Sequence, residues 1–177
     1  WSDPTADIIG DVRAGSQKVR DNLGRYGNVL IINRRVFRWM QDNEGIIDRI
    51  TASGAGSPAK PADITTGMLA QVFDIDRVIV ADSSFDSSAE GLDTVFDDIW
   101  SPNYAMICVI AGAGDGIELP SLGRTFHWAA DGSRPGGTVE SYGEEAVRGD
   151  IIRVRHQTSE RIIYKKCGHL LTGIAPS

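Results

Sequence analysis

The chain has 177 residues, 41% hydrophobic and 24% charged, with a net charge of −6 and two cysteines. It holds no run of about 18 apolar residues that would read as a transmembrane helix, and its acidic balance argues against a dedicated DNA binder. Two cysteines, Cys108 and Cys167, are too few for a disulfide framework and are expected as free thiols in a reducing compartment.

The chain opens "WSDPTADIIGDVR", with no initiator Met and with Trp1 and Pro4 directly before a helical pattern, and is expected to be part of a longer protein. In residues 7–23, Ile8, Ile9, Val12, Val19 and Leu23 recur at helical spacing, which predicts an amphipathic helix stopped by Gly24 and Gly27. The continuous apolar run 28–32 predicts a strand buried on both faces. Asn33 can cap a helix over 34–50, with Val36, Trp39, Met40, Ile47 and Ile50 as its stripe. Residues 51–63 read as a Gly/Pro/Ala loop. Thr65 is placed to cap a short helix ending at Phe73, and 77–82 reads as a second buried strand.

Residues 82–93 are polar and acidic and predict a projecting loop, followed by a third apolar strand over 104–111. After Pro120 the texture turns to short alternating or β-branched segments, and residues 156–161 read as the turn between two strands of a hairpin. The whole predicts an α+β fold without internal repeats. Charge is segregated along it: residues 1–60 carry nine Lys/Arg against seven Asp/Glu, residues 61–150 four against sixteen, and residues 151–177 five against one. One reading is a solvated acidic middle; the other is copies of the chain meeting through opposite patches.

The search for chemistry comes up empty. Gly112, Gly114 and Gly116 follow an apolar strand, but their spacing is G-x-G-x-G, and Pro120 and Gly123 do not open the helix that a dinucleotide fingerprint requires. Cys167 and His169 flank one glycine, yet a zinc site takes about four ligands, and Cys108, His127 and His156 would have to converge from elsewhere. No nucleophile elbow or metalloprotease helix occurs. The acidic residues after Asp82 lack the EF-hand pattern. Trp100 and Trp128 read as core or interface anchors, and the aromatics are not interleaved with basic residues as single-strand binding needs.

The series "WSDPTADIIGDV", "GNVLIINRRVFRWMQDNEGIIDRI", "TTGMLAQVFDIDRVIVAD", "DDIWSPNYAMICVI", "GRTFHWAADG" and "IIRVRHQTSERIIYKKCGHLLTGI" resembles the C-terminal part of tailed-phage major capsid proteins of the Hong Kong 97-type fold, a fold shared with encapsulins. The resemblance implies a structural subunit, not an enzyme and without cofactors, that assembles into pentamers and hexamers around double-stranded DNA. It implies an axial domain over residues 28–130, with residues 1–27 a helix at the junction with the peripheral domain and residues 131–177 strands returning to that domain. The N-terminal arm, the extended loop and most of the spine helix of the family precede the matched region, so this chain alone is expected to build shells poorly.

Implied partners are other copies of the chain, scaffold, portal and decoration proteins, and packaged DNA held non-specifically, with no membrane. The implied location is the virion capsid, assembled in the bacterial host cytoplasm. Some relatives self-crosslink through Lys and Asn. Residues 142–150 contain no Asn, so that chemistry is not expected, and Glu160 reads as a salt-bridging hairpin residue. Expected assembly contacts are the acidic Asp82, Asp86, Asp93, Asp97 and Asp98, the glycines Gly112, Gly114 and Gly116, and the basic Arg34, Arg35, Arg38, Arg153 and Arg155. An encapsulin-type compartment shell is the alternative, and a Rossmann-like nucleotide-binding enzyme a remote one.

Overall fold

The computed structural model describes residues 1–52, 63–112, 114–130, 132, 134, 136–144 and 148–176. Most of the loop expected over 51–63 therefore lies outside the described residues. The helices are α1 (Ile8–Leu23), α2 (Arg34–Gln41), α3 (Glu44–Ala52) and α4 (Thr66–Phe73). The strands are β1 (Val29–Asn33), β2 (Arg77–Ala81), β3 (Ser84–Asp86), β4 (Phe96–Asp98), β5 (Tyr104–Cys108), β6 (Gly123–His127), β7 (Thr138–Glu144), β8 (Gly149–Arg155), β9 (Thr158–Ile162) and β10 (Gly168–Thr172). The chain is a mixed α+β protein of two compact units, Trp1–Leu122 with Tyr164–Ser177, and Gly123–Ile163.

The first unit is built on a four-stranded sheet in the order β10-β5-β1-β2, with β1 and β2 parallel and the other neighbours antiparallel. The apolar run predicted as a strand is β1, and four of its five residues are buried. Helix α1 begins where Asp7 accepts the Gly10 N–H at 2.9 Å and stops at Gly24, whose φ of 79° is the left-handed conformation that ends helices at low cost. Its face carrying Ile8, Val12, Gly15 and Val19 is buried. At Gly15 the helix lies so close to the sheet that an added Cβ would meet the Ile107 Cγ2 at 3.1 Å. Thr65 caps α4 through the Met68 N–H at 3.3 Å, as its position predicted. The core gathers Leu30, Ile32, Met40, Ile46, Leu69 and Ile107, all fully buried.

Three local expectations are corrected. The helix expected over 34–50 is two helices, broken at Asp42 and Asn43. Asn43 is buried and accepts the Ile46 N–H at 3.1 Å to start α3, while its amide donates to the Pro4 and Ala6 carbonyls, each at 2.9 Å. Those long-range bonds outweigh the continuous apolar spacing. The acidic segment after Asp82 is not an irregular loop throughout: β3 and β4 pair as an antiparallel hairpin, Ser84 opposite Asp98 and Asp86 opposite Phe96.

The third correction is in the second unit. Residues 156–161 are not a hairpin turn, because β8 pairs with β7 and β9 pairs with β6. Only His156 and Gln157 separate β8 from β9, whereas β6 ends at His127 and β7 begins only at Thr138. The Trp128 N–H donates to the Gln157 carbonyl at 3.1 Å and lengthens the β6–β9 ladder by one step. Glu160 accordingly stands in β9 opposite Thr125, and Trp128, expected as a core or interface anchor, is exposed.

Candidate functional site

The β3–β4 hairpin projects from the end of the first unit's sheet where β1 and β2 finish and β5 begins. Alternation along the ladder puts Phe85 and Asp97 on one face and Ser84, Asp86, Phe96 and Asp98 on the other. Two backbone bonds, Ser87 N–H to Val95 at 2.8 Å and Ile99 N–H to Ser83 at 3.0 Å, extend the ladder and add Val95 and Ile99 to the Phe85 face. Phe85, Val95, Phe96, Ile99 and the tip residue Leu92 are all exposed. A two-stranded ribbon is marginal alone, and an exposed apolar stripe on one is the signature of a contact surface.

The expected acidic contacts fall on this hairpin in different roles. Asp82, Asp93 and Asp97 are exposed. Asp86 turns inward on its own chain: its carboxylate accepts from the Ser88 hydroxyl at 2.7 Å, the Ser88 N–H at 2.9 Å and the Val95 N–H at 3.2 Å. The Ser88 side-chain bond, then its backbone bond, hold the Asp86 carboxyl below its ordinary range. Asp98 accepts from the buried Asn33 amide at 3.1 Å and so anchors the hairpin to the start of α2.

Beside that anchor lie Arg34, Arg35 and Arg38, all exposed on α2. Arg34 stacks over the Phe37 ring with 5.6 Å to its centroid. Acidic ribbon and arginine face thus share one end of the same unit. Arg153 and Arg155 belong to the second unit and are both engaged by Glu140, across the β7–β8 pair, with Arg153 at 2.8 Å. Hydrogen bonds from Arg153 and then Arg155 hold the Glu140 carboxyl below its usual range. Their charge is therefore partly spent within the ribbon.

Gly112 and Gly116 stand in an exposed run of turns that leads to Pro120, and no helix opens between Gly116 and Pro120. The Gly112 N–H donates to the Asp115 carboxylate at 2.6 Å, so the acceptor sits where an anion would have to bind. A Cβ at Gly114 would meet nothing within 4 Å, so no contact within the chain requires glycine there.

Among the described residues no group of three or more His, Cys, Asp or Glu could hold a metal ion, and no helix is long and apolar enough to cross a membrane. A groove of about 510 Å³ is lined, among the described residues, by Arg13, Arg49, Ile50, Met68, Val72 and Asp74. Cys108 and Cys167 are both buried and free, and burial pushes the Cys108 thiol up to about 11.

Comparison with known proteins gives the context for these surfaces. The chain is similar to the major capsid protein of Burkholderia phage BcepMu, 22% identical over 172 residues that cover 96% of this chain and 51% of that protein. The fold matches the crystal structure of a phage-related protein from Bordetella bronchiseptica RB50 with a TM-score of 0.77 and 20% identity, covering 99% of this chain and 55% of that one. The chain thus spans about half the length of each. No family model matches it. The exposed hairpin stripe was not read from the sequence; the apolar Phe85, Val95 and Ile99 flanking the acidic segment were the available signal.

Proposed function

We propose that the chain is a structural, non-enzymatic subunit of a phage or prophage capsid with the Hong Kong 97-type fold, acting by self-assembly into pentamers and hexamers that enclose double-stranded DNA. The observation that carries the reading is the likeness to a phage major capsid protein over 96% of the chain. The fold match to a phage-related protein over 99% of it supports the same reading. On this reading residues 28–130 supply the axial domain, and residues 1–27 and 131–177 the junction with, and part of, the peripheral domain. The shell belongs to the virion and assembles in the host cytoplasm, with scaffold, portal and decoration proteins as further partners. The phage relatives favour this over an encapsulin-type compartment.

Shell assembly needs no activated group, only repeated heterologous contacts that close into rings. The acidic hairpin and the α2 arginines are the contacts best suited to it. Asp82, Asp93 and Asp97 on one copy would meet Arg34, Arg35 and Arg38 on the next, with Phe85, Val95 and Ile99 supplying the apolar part. Asp86 and Asp98 keep the hairpin's shape instead of touching the neighbour. Gly114 gives a second place of close backbone approach, and Arg153 and Arg155 a weaker basic patch.

The test is a charge reversal that spares the anchor. Asp82→Lys with Asp97→Lys, introduced into the complete gene product that carries this sequence, is expected to leave a folded subunit that no longer forms capsomers in sedimentation. Capsomers at the unaltered level would remove the hairpin from the interface.

A further inference from the structure

The second unit carries a second apolar stripe that the proposed hairpin contact leaves unused. In the β7–β8 ladder Val139 lies opposite Val154 and Ser141 opposite Ile152, with Gly143 and Asp150 next toward the tip. Directly opposed residues share a face, so Val139, Val154, Ser141, Ile152 and Asp150 lie on one side of the ribbon. Val139 and Ile152 are each 70% exposed and Val154 68%. The other face holds Glu140 with its two arginines, so the ribbon's charge pairing is confined to the side away from the stripe. One residue beyond β8, at the exposed His156, the alternation returns to the stripe's face.

We infer that this stripe is an interface with a second copy of the chain, ribbon packed face to face on ribbon with the strands antiparallel; the inference rests on the shell-subunit reading. The pattern is self-complementary about the level of Arg153. Turned end for end, one copy's Ile152 covers the other's Val154, Ser141 covers Val139, and Asp150 reaches the partner copy's His156, twice by symmetry. A ring N–H of His156 donates to the carboxylate in either protonation state that carries a proton on that nitrogen. A partner of different sequence would have to reproduce this spacing of acid, two aliphatic side chains and imidazole; a second copy already has it.

The size of the contact sets its strength. Seven paired residues at roughly 3.4 Å each and two strands about 4.8 Å apart give a face on the order of 250 Å² per copy. A stable dimer takes about 800 Å² per partner. The contact is therefore weak between free chains and effective when repeated around a shell.

Cysteine crosslinking tests the arrangement, with the buried Cys108 and Cys167 left in place. Chains carrying Ile152→Cys and Val154→Cys, one tagged for size, are mixed at high concentration and mildly oxidised. The crossed disulfide dimer is expected several-fold above either homodimer. Tyr142→Cys mixed with Ile151→Cys, on the opposite face, is expected to give none above background. Asp150→His should reduce the crossed dimer, and Asp150→His combined with His156→Asp should restore it. Retained β-sheet circular dichroism in each variant shows that the ribbon is folded. Equal crosslinking from both faces, or no preference for the crossed pair in folded chains, would overturn the inference. If shells still form from the complete gene product under that result, only the ribbon interface is lost and the capsid reading stands.

Discussion

The Asn33 side-chain amide donates to the Asp98 carboxylate at 3.1 Å across 65 residues of sequence, while its Oδ1 accepts the Arg35 N–H at 2.7 Å. The same amide reaches the Trp100 carbonyl. One buried side chain thus starts α2 and fixes the root of the acidic hairpin, so the two surfaces proposed to meet between copies are set by a single residue.

Asn33→Ala removes the cap and leaves Asp98 and the Trp100 carbonyl without this donor. The expected loss is about 2–3 kcal/mol, from a cap of about 1 kcal/mol and hydrogen bonds to a charged group of about 1.5 kcal/mol or more. It is read as a lower denaturant midpoint. Asn33→Asp separates the roles: the cap acceptor survives, but a carboxylate faces Asp98. Hydrogen exchange should then rise over residues 84–98 and stay low in α2.

Close approach at Gly15 gives a packing test. The nearest atoms to a Cβ there are the Ile107 Cγ2 at 3.1 Å and atoms of His169 and Leu171 at 3.4 Å. Gly15→Leu is expected to cost about 1–3 kcal/mol by overpacking. Ile107→Ala alone is expected to cost about 2–5 kcal/mol. Because the two residues share one space, the double variant should be more stable than the sum predicts, by 0.5 kcal/mol or more on the order expected for contacting pairs. Strict additivity in chemical denaturation would contradict the contact.

The second unit should respond to acid through Glu140. Its folded pKa is depressed by Arg153 and Arg155, so the stabilisation is present above the ordinary carboxylate range and is lost as pH falls through the folded value. Amide exchange in β7 and β8 is expected to accelerate in that acidic window after correction for the intrinsic rate. Glu140→Gln should flatten the dependence. A Glu140 carboxyl titrating at the ordinary value by NMR would contradict the pairing.

Cys108 should be inert while the chain is folded. Its thiol is buried and raised to about 11, with burial the largest cause. At pH 8 a thiol reagent is expected to label neither cysteine in native protein and both in denaturant. Rapid native labelling at Cys108 would mean that β5 is not covered as described.

Much of the first unit was legible in the sequence because its signals are local. Asp7, Asn33 and Thr65 each cap the helix that follows them, and Gly24 stops α1 in the conformation its residue type favours. What escaped depends on partners far along the chain. Asn43 breaks a helix by bonding to Pro4 and Ala6. Strand β9 seeks β6, some 35 residues earlier in the Gly123↔Ile162 to His127↔Thr158 register, in preference to the adjacent β8. The candidate contacts were legible as charges but not as roles: Asp86 and Asp98 look like Asp97 in a string of letters, yet each is engaged by its own chain.

Electron microscopy of the complete gene product carrying this sequence, expressed and purified, tests the central claim most directly. Closed particles of uniform diameter, built of five- and six-fold capsomers into whose density this fold fits, are the predicted result. A product that stays monomeric at high concentration, with neither rings nor shells on the grid, would contradict it.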